Sequence, residues 1–139
     1  MKSITHRGVT LDVPVGWKVS KGSSYVDYRD PKDSDRWLRI NVTDEKDATK
    51  ALQSADHRFA TGTCKTYTNL GLTGAKLGGV DGAQLEFLCT PQGKEPRHAI
   101  WRIAVINGKA CHVYLSTWEN SFAQDKAVFE AALTSFRVA

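Results

Sequence analysis

The dipeptide Asn107-Gly108 sets two segments of this 139-residue chain against each other. Asn-Gly is the strongest short hairpin signal, because a type I′ turn needs positive φ at both central positions. The flanking residues 100–106 and 111–118 are rich in Ile, Val, Trp and Tyr, which pack well on a pleated surface. A two-residue turn also specifies register. With Ile106 opposite Lys109, Ala104 faces Cys111, Arg102 faces Val113, Trp101 faces Tyr114 and Ile100 faces Leu115. The upstream strand, 83–89, reaches this hairpin through a turn-rich segment, 90–96. Placing Cys89 opposite His98 carries the ladder across that looser loop, with Phe87 opposite Ile100 and Glu86 opposite Trp101.

The rest of the chain is read from hydrophobic period and punctuation. Val9, Leu11 and Val13 alternate with Thr10 and Asp12, and Pro14 with Gly16 ends that strand. Trp17-Lys18-Val19, residues 25–28 and residues 37–42 predict further strands, together an N-terminal antiparallel meander. Ala48, Leu52, Ala55 and Phe59 recur at helical spacing before Gly62, predicting an amphipathic helix over about 46–60. Residues 67–79 alternate weakly and hold four glycines, so a marginal strand and a turn are expected there. Ser121 and Gln124 stand in capping-box spacing ahead of an apolar stripe, Phe122, Phe129, Leu133 and Phe136, which predicts a C-terminal helix on the sheet. No repeat or linker divides the chain, so residues 1–139 are expected to form one α+β domain.

Composition removes several functional classes. No run approaches the roughly 20 apolar residues of a membrane span, and Lys2-Ser3-Ile4-Thr5 is not a signal core, so no direct membrane insertion is expected. The net charge of +4 is spread over both halves, and the densest cluster, residues 29–36, alternates in sign. That argues against nucleic acid as a partner. His6, His57, His98 and His112 lack metal-ligand spacing, the glycines form no phosphate cradle, and no Gly-x-Ser-x-Gly elbow occurs. A Cys89–His98 pair lacks any sign of an activated thiolate. Neither a metal, a cofactor nor catalysis is expected.

Both faces of the meander carry apolar residues, which requires cover on both sides. At Val13-Pro14-Val15-Gly16-Trp17, Gly82-Ala83-Gln84-Leu85-Glu86-Phe87, residues 102–114 and Ser135-Phe136, the chain resembles the PsbP-like group over nearly its whole length. That group includes the extrinsic photosystem subunit P, a Ran-binding nuclear import factor, and actinobacterial lipoproteins and extracytoplasmic kinase domains. The resemblance implies an α/β/α sandwich with a central antiparallel sheet. It also implies a non-enzymatic binding or accessory module, often bacterial and extracytoplasmic or at the cell surface. An extracytoplasmic location favours a disulfide. Cys64, after the first helix, and Cys89, at a strand end where loops converge, are the preferred pair, leaving Cys111 a buried thiol beside Val113 and Leu115. Three reduced cysteines in a cytoplasmic chain is the alternative.

Two surfaces qualify for recognition. The register brings Glu86, Trp101, His112 and Tyr114 onto one sheet face, a ligand-binding candidate in which polar groups stand among aromatic rings. The plain alternative is a sheet face packed under a helix, with Glu86 and His112 satisfying each other. The second surface is the loop carrying Arg29, Arg36 and Trp37, residue types that dominate protein interfaces. The expected function is recognition of a protein partner or a small apolar ligand. A cytoplasmic partner-binding or immunity-type protein is the main alternative, and a small enzyme using Glu86 and His112 a weaker one.

Overall fold

The computed structural model describes all 139 residues. Its strands are β1 (Lys2–His6), β2 (Val9–Val13), β3 (Lys18–Lys21), β4 (Tyr25–Asp30), β5 (Asp33–Thr43), β6 (Thr66–Leu77), β7 (Val80–Thr90), β8 (Arg97–Ile106), β9 (Lys109–Trp118) and β10 (Arg137–Val138). Helix α1 (Ala48–Arg58) follows β5, and α2 (Phe122–Ser135) follows β9. Seven strands form one antiparallel sheet in the order β3-β4-β5-β9-β8-β7-β6, and β1, β2 and β10 form a second, three-stranded sheet. The N-terminal strands are therefore divided: β1 and β2 pair with each other and with β10, while only β3, β4 and β5 form a meander in the large sheet.

The large sheet is covered on both sides, as an α/β/α sandwich requires. Leu11, Val13, Leu38, Ile40, Val113, Leu115 and Phe129 form the larger core, between the sheet and the layer made by α2 and the small sheet. Leu52 of α1 closes a smaller core with Leu85, Phe87 and Ile103 on the opposite face. The alternation of β8 supplies both, Ile100 and Ala104 to the larger core and Ala99 and Ile103 to the smaller, because successive side chains point to opposite faces.

Local chemistry explains the element boundaries. Asp47 caps α1, its carboxylate accepting from the Lys50 amide at 3.0 Å, and His57 with Arg58 oppose the dipole at the other end. The helix then widens into a π-turn, Phe59–Thr63, before Cys64. The Ser121 hydroxyl is not a cap: it bonds the Thr117 hydroxyl at 2.8 Å and the Trp118 carbonyl at 3.3 Å, and a short 3₁₀ turn precedes α2 instead. Asn107 and Gly108 have φ of 52° and 80°, the turn that their sequence predicts. Residues 66–77 form a full edge strand rather than a marginal one, held along its length by β7.

Candidate functional site

The β8–β9 register is the one the Asn-Gly turn predicts, with Trp101 opposite Tyr114 and Ile100 opposite Leu115. The β7–β8 register differs from expectation by one residue. Cys89 lies opposite Arg97, Leu88 opposite His98, Phe87 opposite Ala99 and Glu86 opposite Ile100. A slip of one residue moves every side chain of a strand to the other face. Burial of Leu85 and Phe87 beneath α1, with Cys89 bonded to Cys64, holds the odd positions of β7 on the α1 face. Glu86 consequently points to the α2 face, away from Trp101 and Tyr114. There its carboxylate meets the His98 Nε2 at 2.6 Å, while the His98 ring stacks on Phe122 with centroids 3.4 Å apart.

Trp101, His112 and Tyr114 do share the α1 face. The Trp101 indole N–H donates to His112 Nδ1 at 3.0 Å, which leaves the imidazole proton on Nε2. Nε2–H in turn donates to the Thr43 hydroxyl at 2.8 Å, and Thr43 donates to Glu45. Burial pushes His112 down to about 4, against the weaker upward pull of Glu45. The ring is neutral at physiological pH and both nitrogens are engaged, an arrangement suited to structure rather than to proton transfer. Trp101 stacks on Tyr114 with centroids 4.5 Å apart, and burial pushes the Tyr114 hydroxyl up to about 12, with Arg39, Arg97 and Arg58 pulling the other way.

This row of rings continues onto β5 and β4. Trp37 lies 5.1 Å from Tyr114 between centroids. Beside it, the Asp27 carboxylate, only 2% exposed, accepts from Arg39 at 2.7 and 2.9 Å and from Arg29 at 3.1 Å. The Arg39 guanidinium lies over Tyr25 at 4.0 Å and over Trp37 at 5.1 Å, and that of Arg29 lies over Trp37 at 5.6 Å. Such stacking on an aromatic face is favourable and fixes the plane of the cation. Farther along, Arg97 bonds the Ser116 hydroxyl at 3.1 and 3.0 Å and lies over Trp118 at 4.7 Å, while the Trp118 indole donates to Asp33 at 2.8 Å. Helix α1 packs chiefly on β7, β8 and β6. The aromatic and arginine side chains over β9, β5 and β4 thus lie beside the helix, only half-buried.

The three residues expected to form a partner-binding loop separate. Arg29 and Trp37 belong to the face just described. Arg36, one position from Trp37, points to the α2 face, where it pairs with Asp125 and Asp30 at 2.5 Å each and bonds Asp125 again at 2.8 Å. It joins β5 to α2. The cysteines follow expectation: Cys64 and Cys89 are disulfide-bonded with Cα atoms 5.4 Å apart, and Cys111 is a buried thiol in the larger core with Val113 and Leu115. No group of three or more His, Cys, Asp or Glu side chains is placed to hold a metal, and no helix is long and apolar enough to cross a membrane.

Sequence reasoning missed Tyr25, Asp27, Arg39 and Arg97. The signal existed in the alternation, since Tyr25, Asp27 and Arg29 on β4 and Trp37 and Arg39 on β5 occupy every second position. Joining them to Tyr114 required the β5–β9 register, in which Arg39 faces Tyr114 and Trp37 faces Ser116. No short turn announces that pairing.

Residues 4–138 match the model of the family described as the serine/threonine kinase C-terminal domain. No curated protein sequence matches significantly. Among solved structures, cyanobacterial PsbP (CyanoP) from Synechocystis sp. PCC 6803 superposes with a TM-score of 0.74 at 19% identity, covering 99% of this chain and 92% of that one. LpqN of Mycobacterium tuberculosis, described as involved in cell envelope biogenesis, gives a TM-score of 0.64 at 19% identity, covering 99% and 90%. The chain therefore belongs to the serine/threonine kinase C-terminal domain family, and its fold is PsbP-like.

Proposed function

We propose that the chain is a non-catalytic accessory module, working outside the cytoplasm, that recognises a protein partner across the β4–β5–β9 part of its α1 face. The observation that carries this reading is the half-buried row Trp37, Tyr114 and Trp101 beside α1, with Arg39 and Arg29 fixed against it. Trp, Tyr and Arg are the residues that most often anchor protein interfaces. Locking them in advance reduces the ordering cost of association. A protein surface suits the site better than a small apolar ligand does, because none of the clefts in the molecule is lined by Trp101, His112 or Tyr114.

Four observations support the rest of the reading. The family is one of domains that follow a kinase, and LpqN is described as acting in the cell envelope. The Cys64–Cys89 bond suits an oxidising compartment. The groups an enzyme would use are already occupied, Glu86 by His98 and His112 by Trp101 and Thr43.

Site-specific photo-cross-linking in the native host tests the surface. A cross-linker at position 37 is expected to trap one discrete partner, which a cross-linker at Lys50, on the exposed side of α1, does not trap. Equal trapping from both positions, or from Lys50 alone, overturns the proposal.

A further inference from the structure

We infer that the partner presents carboxylates to this face, as an extended acidic segment laid across Tyr114 and Trp37; this inference rests on the protein-binding role of the same face. Its first support is an imbalance of charge. Register places Lys18, Arg29 and Arg39 on the α1 side of β3, β4 and β5, and Arg97 on the same side of β8. Arg58 enters from the end of α1, close enough for its charge to act on Tyr114. The Asp27 carboxylate is shared by Arg29 and Arg39, so one of those two charges is uncompensated at that point. Arg97 bonds a hydroxyl and the Asp35 main-chain carbonyl rather than a carboxylate. The side chains of Asp33 and Asp35 act on Arg97 only at longer range, from the Trp118 end.

The excess is local. The cleft of about 650 Å³ next to Trp118 is balanced, Lys65 and Lys94 against Asp35 and Glu95. Counted against Asp27, Asp33 and Asp35 on the same face, Lys18, Arg29, Arg39, Arg58 and Arg97 leave an excess of positive charge beside the aromatic rings.

The second support is donor geometry. Arg39 binds Asp27 through Nε and Nη2, which leaves Nη1 for an incoming acceptor, and Arg97 uses Nε and Nη2 in the same way. Guanidinium groups held in place by these contacts offer directed hydrogen bonds to carboxylates, which a diffuse patch of lysines does not. Shape decides among anionic partners. Helix α1, about 10 Å across, stands above the sheet beside the cations, so a flat bilayer meets the helix first, whereas an extended polypeptide follows the strands beside it.

The test uses the oxidised domain and chemical-shift mapping with a short peptide alternating Glu with Ser. A Lys-Ser peptide, phosphatidylglycerol vesicles and a single-stranded oligonucleotide serve as comparison probes. Expected are shifts confined to Trp37, Arg39, Trp101, Tyr114 and their neighbours, and affinity that falls with salt. The Lys18→Glu, Arg97→Gln double variant, which leaves Asp27 paired, should lose about tenfold in affinity while keeping the rest of its spectrum. Tighter binding of the Lys-Ser peptide, the vesicles or the oligonucleotide overturns the inference, as does an acidic peptide that shifts another surface or none. If position 37 still traps a discrete partner in cells, only the acidic character has failed. If it traps nothing, the binding face has failed as well.

Discussion

Trp101 donates its indole proton to Nδ1 of His112 across the β8–β9 ladder at 3.0 Å, so the imidazole is held neutral inside a sheet face. Its folded value of about 4 lies below the ordinary 6.5. Below pH 6.5 the unfolded chain takes up a proton that the folded chain refuses, so stability is full above that pH and declines as pH falls to about 4. The loss amounts to about 3 kcal/mol for this group. Urea unfolding between pH 7 and 4 should show a total loss of stability that is smaller by about that amount, and so a shallower slope against pH, in His112→Gln. An unchanged slope in the variant refutes the assignment.

The disulfide joins residues 25 apart and ties the end of the α1 segment to β7. A closed loop of this size contributes about 3 kcal/mol, mainly by restricting the unfolded chain. Reduction should lower the unfolding midpoint accordingly. Alkylation after denaturation without reductant should label Cys111 alone, with all three cysteines labelled only after reduction. Three labelled thiols in the unreduced protein contradict the bond.

Arg36 and Asp125 connect β5 to α2 across the larger core. Burial pushes Asp125 up, but hydrogen bonds from Arg36 and Thr117 outweigh it and hold the carboxylate below its usual range. Arg36→Ala strands that carboxylate and should cost about 3–5 kcal/mol. Replacing both partners by apolar residues, as in Arg36→Met with Asp125→Leu, should recover part of the loss, because the more deeply buried Asp125 charge is then gone and only Asp30, 12% exposed, has lost its partner. Additive losses in a double-mutant cycle contradict direct coupling.

Gly82 lies where β7 and β8 approach closely. A Cβ there would press on the Ile103 carbonyl oxygen and stand 2.9 Å from the Ala104 Cα, both main-chain atoms. Gly82→Ala should destabilise by about 3 kcal/mol through overpacking, read as a lowered denaturation midpoint. Gly74→Ala, whose nearest contact is at 4.0 Å, is the comparison and should cost far less.

The unequal legibility of the site follows from the distance along the chain between strand partners. Trp101 and Tyr114 were readable as a pair because a two-residue turn leaves one favoured register. Glu86 was misplaced because residues 91–96, between β7 and β8, carry no comparable turn, and a one-residue error inverts a face. Arg36 and Trp37 looked like one surface in a charged loop, yet β5 extends through them and sends them to opposite faces. The cysteine pair was legible from chain position and compartment, whereas the α1-face role of Arg39 and Arg97 was not.

The sequence by itself determined the periods, the turn at Asn107-Gly108, the helix cores and a two-faced sheet needing cover, because these depend on residues close in the chain. Tertiary structure alone decided that β9 pairs with β5, that β1 and β2 leave the large sheet for β10, and that odd positions of β7 lie under α1. Pairing between distant strands has no local turn to dictate it, so its register is settled by which alignment buries the most apolar surface with the fewest stranded charges. That alignment assembled the arginines and the rings.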